Sequence, residues 1–187
     1  MAILSPIVVP IRDGTITLRS ATPADASALI ALQLEMAREG GGTVYAEDEV
    51  DTDPVVRARR VRRAIAAPDD LVIVAESGGA VVGEASFRAG NARRIAHRGL
   101  LGVSVSRPWR SRGVGRALVS GIVEWCRARP AIERVCLWVF ADNAPALALY
   151  RSLGFVEEGR RVGEIRLEPG RYTDDLVMAL RVKPIGH

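Results

Sequence analysis

The chain has 187 residues, 48% of them hydrophobic and 26% charged, which is enough for one substantial core and short for two, so a single globular domain over 1–187 is expected. Its 26 basic and 22 acidic residues leave a net charge of +4, and its arginines are spread along the chain rather than gathered with aromatics, which argues against a nucleic-acid partner. The start MAILSPIVVP lacks leading basic residues and carries two prolines, and no apolar run approaches the ~18 residues of a membrane span, so a cytoplasmic protein with no membrane partner is expected.

Taken in order, the chain opens on a loose N-terminal segment. Thr15 to Ala21 then alternates Ile16 and Leu18 with polar neighbours and reads as a first strand. A helix follows, with Thr22 as N-cap, Pro23 at the first helical position and Leu29, Leu32 and Met36 as its core stripe, ending at Gly40 to Gly42. The next segment carries Glu47, Asp48, Glu49, Asp51 and Asp53, and Pro54 opens a second, arginine-rich helix. These carboxylates either attract a cationic amine or simply offset the neighbouring arginines on a solvated loop.

Leu71 to Glu76 and Ala80 to Phe87 read as strands joined by a Ser77-Gly78-Gly79 hairpin turn, and a second hairpin turns at Gly90-Asn91. The strand LLGVSVS, from Leu100 to Ser106, comes next, and Pro108 ends it. From Val114, apolar residues recur at three and four positions through Leu118, Ile122 and Trp125, giving an amphipathic helix to about Arg129. Arg134 to Phe140 (RVCLWVF) is a nearly continuous apolar run, the pattern of a strand buried on both faces. Its helical crossover implies parallel pairing with the preceding strand. A short helix capped at Asn143 or Ala144 runs to Ser152, Gly154 closes it, and Phe155 to Leu167 and Tyr172 to Val182 form a final hairpin.

Cys126 falls on the amphipathic helix and Cys136 on the apolar strand, so buried free thiols are expected, without a disulfide or a metal site.

The elbow between strand and helix carries the chemistry. Gly113 and Gly115 let a ligand approach the backbone, and the N–H groups of Ser111, Arg112, Gly113, Val114, Gly115 and Arg116 lie at the positive end of the helix dipole, a seat for phosphate. The guanidinium groups of Arg110, Arg112 and Arg116 surround it with positive charge. The third glycine of the dinucleotide fingerprint and the G-K-[ST] of the P-loop are both missing.

Arg110-x-x-Gly113-x-Gly115 after a strand resembles the Arg/Gln-x-x-Gly-x-Gly/Ala signature of the GNAT superfamily of N-acetyltransferases, which seats the pyrophosphate of acetyl-coenzyme A. The run Asn143-x-x-Ala146-x-x-Leu149-Tyr150-x-x-x-Gly154-Phe155 resembles the second signature of the same superfamily, and the order of strands and helices fits from about Thr15 to Val182. The resemblance implies an α/β fold: a mostly antiparallel seven-stranded sheet with a splayed parallel strand pair, flanked by about four helices. In that family the central strand is bulged and splayed from its parallel neighbour. Backbone groups of Val103, Ser104 and Val105 would therefore bond the pantetheine arm and thioester carbonyl of acetyl-CoA, with Asn143 also on the arm. Ordinary ladder pairing and helix capping are the competing roles for these residues. The tail GRYTDDLVMAL is similar to those of branches that acetylate polyamines or protein amino termini.

Acyl transfer from a thioester to an amine needs a neutral amine, donors for the oxyanion and a proton for the departing thiolate. Tyr150, a phenol protonated at neutral pH, is the expected general acid. Glu84 is a candidate base, though a carboxylate on a strand is more often simply solvated. His97 is assigned no role. With no cysteine at the elbow to form an acyl-enzyme, direct attack in a ternary complex is expected, on a small-molecule or peptide amine. The alternative is a non-catalytic acetyl-CoA-binding sensor. A homodimer pairing through the final hairpin is left open.

Overall fold

A computed structural model describes residues 4–184 of the protein. Eight strands form one mixed sheet in the order β1-β2-β3-β4-β5-β6-β8-β7. They are β1 (Ile7–Ile11), β2 (Gly14–Ser20), β3 (Leu71–Ser77), β4 (Ala80–Ala89), β5 (Arg98–Val105), β6 (Arg134–Phe140), β7 (Val156–Glu168) and β8 (Arg171–Arg181). The helices are α1 (Ala26–Glu39), α2 (Pro54–Ala66), α3 (Val114–Arg127) and α4 (Ala144–Ser152). No helix among the described residues is long and apolar enough to cross a membrane.

The expected seven strands are present, with β1 in addition. The segment read as loose pairs antiparallel with β2 from Ile7↔Leu18 to Ile11↔Gly14. Its Pro10 is tolerated because β1 is the edge of the sheet, where one side of the strand needs no ladder donor.

Every pairing is antiparallel except β5 with β6, which is parallel and covers only Arg98↔Arg134, Gly99↔Val135 and Leu100↔Cys136. Beyond Leu100 the two strands part. The opening does not come from a bulge in β5, contrary to the family expectation, because its ladder with β4 runs unbroken from Gly83↔Val105 to Ala89↔Gly99.

Helix α3 packs on one face of the sheet. A Cβ on Gly83 would meet Leu118 Cδ1 at 2.9 Å, and one on Gly121 would meet Ile73 Cδ1 at 3.3 Å, so glycine at these two positions lets helix and sheet approach. The core on this face includes Leu118, Ile122, Val135, Leu137, Tyr150 and Phe155. On the other face Leu29 of α1 and Val61 of α2 pack with Val74 of β3. Burying a side chain such as Leu29 or Leu118, each 0% exposed, stabilises the fold by about 2 kcal/mol.

The α1 start is tied down by Asp25, which is 8% exposed. Its carboxylate accepts from the Thr22 amide at 2.7 Å and from both terminal nitrogens of Arg19 at 2.8 Å. Thr22 precedes a 3₁₀ turn, Pro23–Asp25, rather than the α-helix itself.

β6 is buried on both faces, as its apolar run suggests: Val135, Leu137 and Val139 on one face and Cys136 and Phe140 on the other, with Trp138, 53% exposed, the exception.

Candidate active site

The elbow between β5 and α3 has the backbone shape its sequence suggests. Ser111 has φ 59° and Gly113, the N-cap of α3, has φ 99°. Only a residue without a side chain adopts the second readily. Among the described residues, the amides of Ser111, Arg112, Gly113, Val114, Gly115 and Arg116 donate to no protein acceptor; the first helical bond is Ala117 N–H to Gly113 O at 3.0 Å. Six consecutive donors at a helix N-terminus form a ready anion seat. The unexpected β1 supports it from behind. The Arg12 amide donates to the Arg112 carbonyl at 2.9 Å, and Ile11 lies 3.7 Å from where a Cβ on Gly113 would sit.

Each of the three arginines around this seat has a partner within the protein. Arg110 Nε donates to the Val105 carbonyl at 2.8 Å and Nη1 pairs with Glu39 at 2.6 Å, so this guanidinium ties the end of β5 to α1. Arg112 lies 5.6 Å from the Trp109 ring centroid and 3.8 Å from Asp13. Arg116 donates to Ser152 Oγ at 2.7 Å, linking α3 to the end of α4. All three keep positive charge near the amides. Of them, Arg110 is a brace within the protein.

Strand geometry sorts Val103, Ser104 and Val105. The Ser106 amide donates to the Val82 carbonyl, and the Ser104 carbonyl lies 3.1 Å from the Cβ position of Gly83, so the main-chain groups of both serines are turned to β4. By the alternation of a strand, those of Val103 and Val105 are turned to the opening beside β6. Because Arg110 takes the Val105 carbonyl, the N–H and C=O of Val103 and the N–H of Val105 are left facing the opening. Ser104 is thus engaged in ordinary ladder pairing.

On α4, Asn143 Oδ1 accepts from the Ala146 amide at 3.2 Å and caps the helix. Its Nδ2 lies 3.4 Å from the Cβ position of Gly42, next to the loop after α1. Leu149 packs over Gly115, 3.3 Å from that residue's Cβ position, and so joins α4 to the start of α3. The adjacent Tyr150 is 6% exposed, its ring 5.7 Å from Phe155. Burial pushes its phenol up to about 12, so it is protonated across the neutral range.

Glu84 faces α1 and α2 and stands opposite Ser104 on β5. It is not a solvated strand carboxylate: Arg57 Nη2, from α2, reaches both of its oxygens at 2.8 and 2.7 Å. Burial raises the Glu84 carboxyl above its ordinary range, and the charge and hydrogen bond of Arg57 oppose that rise. Sequence reasoning missed Arg57 as its partner, since nothing in an arginine-rich helix singles out one arginine.

The acidic loop has settled roles. Glu47 pairs with Arg38 at 2.7 Å, Asp51 with Arg60 at 3.0 Å, Glu49 accepts from the Ala46 amide, and Asp53 caps α2 through the Val55 amide. Offsetting and capping, rather than attraction of a ligand, account for these four carboxylates.

Cys126 and Cys136 are free and buried. Burial pushes the Cys126 thiol up to about 12, which suits an inert core thiol. Among the described residues no group of three or more His, Cys, Asp or Glu is placed to hold a metal ion.

The family model for the acetyltransferase (GNAT) family matches residues 41–155, from the loop after α1 through the end of α4. The chain belongs to this family. It is 37% identical over 111 residues to the L-amino acid N-acetyltransferase AaaT of Escherichia coli, a match covering 59% of this chain and 67% of that protein. Among solved structures it resembles a ribosomal-protein-alanine N-acetyltransferase from Brucella melitensis, with TM-score 0.75 and 32% identity over 88% of this chain and 98% of that one. It also resembles a GNAT superfamily phosphinothricin acetyltransferase from Sinorhizobium meliloti in complex with AcCoA, with TM-score 0.80 and 25% identity over 89% and 88% of the two chains. The GNAT expectation drawn from the two motifs is therefore met. The chain is an acyltransferase, and the reading as a mere sensor is not favoured.

Proposed function

We propose that this GNAT enzyme transfers the acetyl group of acetyl-CoA to an amine by direct attack in a ternary complex, with Glu84 as base and Tyr150 as acid. The observation that carries the reading is the run of six unengaged amides, Ser111 to Arg116, next to a parallel strand pair that opens beyond Leu100. The amides take the diphosphate of the co-substrate, helped by Arg112 and Arg116. The N–H and C=O of Val103 and the N–H of Val105 hold the pantetheine arm and the thioester carbonyl along the opening. Asn143, with Oδ1 committed to its cap, offers Nδ2 to the arm.

Transfer then needs three proton movements. Glu84 takes a proton from the ammonium form of the acceptor, directly or through water, and the neutral amine attacks the thioester carbon. A main-chain N–H facing the opening stabilises the oxyanion. As the C–S bond breaks, the thiolate takes the proton of Tyr150, which its burial keeps on the phenol until then, and the second proton shed by the attacking nitrogen, as the amide forms, returns to the phenolate. The co-substrate lies on the α3 side and the acceptor on the α1/α2 side, the face of Glu84. The exposed edge strand β7, with Val162 83% exposed, is where a second copy would pair.

A thiol-release assay across a panel of primary amines tests the reading. Acetylation of at least one amine, with release of one thiol per acetyl group, is the expected result. Binding of acetyl-CoA with no transfer to any amine would return the sensor reading.

A further inference from the structure

Two carboxylates stand where a helix least favours them. Glu35 and Glu39, one turn apart, fall in the last two turns of α1, at the negative end of its dipole, and Glu39 is its final residue. Such placement weakens a helix, and acids kept there against local preference point to what they hold. Both reach the same short segment, Val105 to Arg110, which joins β5 to the elbow. Glu35 Oε1 accepts from the Arg107 amide at 2.5 Å and from Ser106 Oγ at 3.2 Å. Glu39 Oε2 pairs with Arg110 Nη1 at 2.6 Å, and the sulfur of Met36, in the same turn, lies 3.2 Å from Arg110 Nη2. The Nε of that guanidinium holds the Val105 carbonyl at 2.8 Å.

The same turn also touches the other side of the opening. Past Gly40, whose φ is 66°, the chain bends so that the Cβ position of Gly42 lies 3.4 Å from Asn143 Nδ2 and 3.5 Å from Met36 Cε. The end of α1 thus spans the mouth of the opening, from the last residue of β5 to the N-cap of α4. It does so where the sheet no longer can, because the ladder between β5 and β6 ends at Leu100 and Cys136, well short of Val105. The Val105 carbonyl faces that opening beside the amide seat. Bare, it would set a partial negative charge against an arriving diphosphate; covered by a guanidinium, it does not. Glu39 in turn keeps Arg110 from swinging to the diphosphate itself.

We propose that Glu39, acting through Arg110 and assisted by Glu35, is a positioning residue for transfer. The end of α1 is a clasp that fixes where β5 ends, and with it the main-chain groups of Val103 and Val105 that align the thioester. This rests on the transferase reading above, since alignment matters only if the acetyl group leaves. The arginines then divide the work: Arg112 and Arg116 meet the diphosphate, and Arg110, although it stands first in the motif, keeps its partners when the co-substrate arrives. Without the Glu39 carboxylate, Arg110 is free to turn to the diphosphate. Coenzyme affinity is then kept or raised while the end of β5 drifts, and a drift of roughly 1 Å is enough to slow transfer.

Two measurements on the full-length protein test this. The first follows arginine side-chain Nε–Hε signals in proton–nitrogen spectra as CoA is added, with Arg110→Lys, which deletes one signal, giving the assignment. The Arg110 signal should stay in place in the unaltered protein while that of Arg112 or Arg116 shifts. The second compares Glu39→Gln with the unaltered protein, using an amine active in the thiol-release panel. Here kcat should fall about tenfold, with the Kd for CoA, by calorimetry, equal or lower. A merely structural loss would weaken CoA binding along with kcat. An Arg110 signal that moves with CoA as far as that of Arg112, or a Glu39→Gln variant in which kcat holds or falls together with CoA affinity, would overturn the proposal. The first measurement needs no turnover, so an unmoved Arg110 signal in a protein that acetylates no amine would overturn the transferase reading instead.

Discussion

Arg57 and Glu84 meet on the α1/α2 face of the sheet, with one guanidinium nitrogen, Nη2, within 2.8 Å of both carboxylate oxygens. Each side chain is less than a fifth exposed, so neither is screened as a surface ion pair would be. The pair sets the proton affinity of the proposed base, with burial pushing it up and Arg57 pulling it down. Glu84→Gln should therefore lower kcat about a hundredfold with little change in acetyl-CoA affinity. Arg57→Gln removes the lowering influence, so the acidic limb of the kcat/KM profile should move to higher pH. A limb that stays in place in Arg57→Gln would show that another group is titrating.

Tyr150→Phe removes the proposed acid and keeps the ring. The expected result is a fall in kcat of about a hundredfold, with the Kd for acetyl-CoA unchanged by equilibrium titration. The sign of the pKa displacement gives a second check. Since burial places the phenol at about 12, its ionisation should cause no loss of activity between pH 8 and pH 10 in stopped-time assays.

Asp25 predicts a stability effect away from the site. The pairing with Arg19, opposed by burial and assisted by Thr22, lowers its carboxyl from 3.8 to about 2. A carboxylate held below its unfolded value adds stability above pH ~4, and that stability is lost as pH falls toward 2. Asp25→Ala should cost roughly 3 kcal/mol in urea unfolding at pH 7, since it strands Arg19 and undoes the start of α1. The cost should shrink on acidification, and an equal cost at pH 7 and pH 2.5 would contradict the assigned cause.

Gly115→Val tests the seam between α3 and α4. The Cβ position at Gly115 is already 3.3 Å from Leu149 Cδ2 and 3.8 Å from Val105 Cγ2, so a branched side chain forces α4 away from the elbow. Acetyl-CoA should bind at least tenfold more weakly, measured by calorimetry, with a loss of stability of about 1–2 kcal/mol.

The parts of this fold most legible in the sequence are those fixed by local chemistry. Gly113 and Gly115 mark the elbow, Pro54 and Pro145 mark helix starts, and the alternation of Ile16 with Leu18 marks a strand. What stayed hidden depends on which distant residues meet. β1 could not be read because Pro6 and Pro10 argue against an internal strand, and only the topology reveals that β1 is an edge. Arg110 belongs to the recognised motif, yet its guanidinium is turned to Val105 and Glu39, a choice made by the closeness of α1. Trp138 reads as core in the run RVCLWVF, yet it is 53% exposed while Cys136 and Phe140 on the same face are buried, a single open position that no periodicity records.

The central claim is that the main-chain amides from Ser111 to Arg116, together with those of Val103 and Val105, receive the co-substrate. Amide proton–nitrogen spectra of the labelled protein, recorded while CoA is added, measure this directly. The account predicts saturable shifts at those amides, largest between Ser111 and Arg116, with the Ser104 amide held by β4 moving little. CoA binding that leaves the Ser111–Arg116 amides unmoved would contradict it.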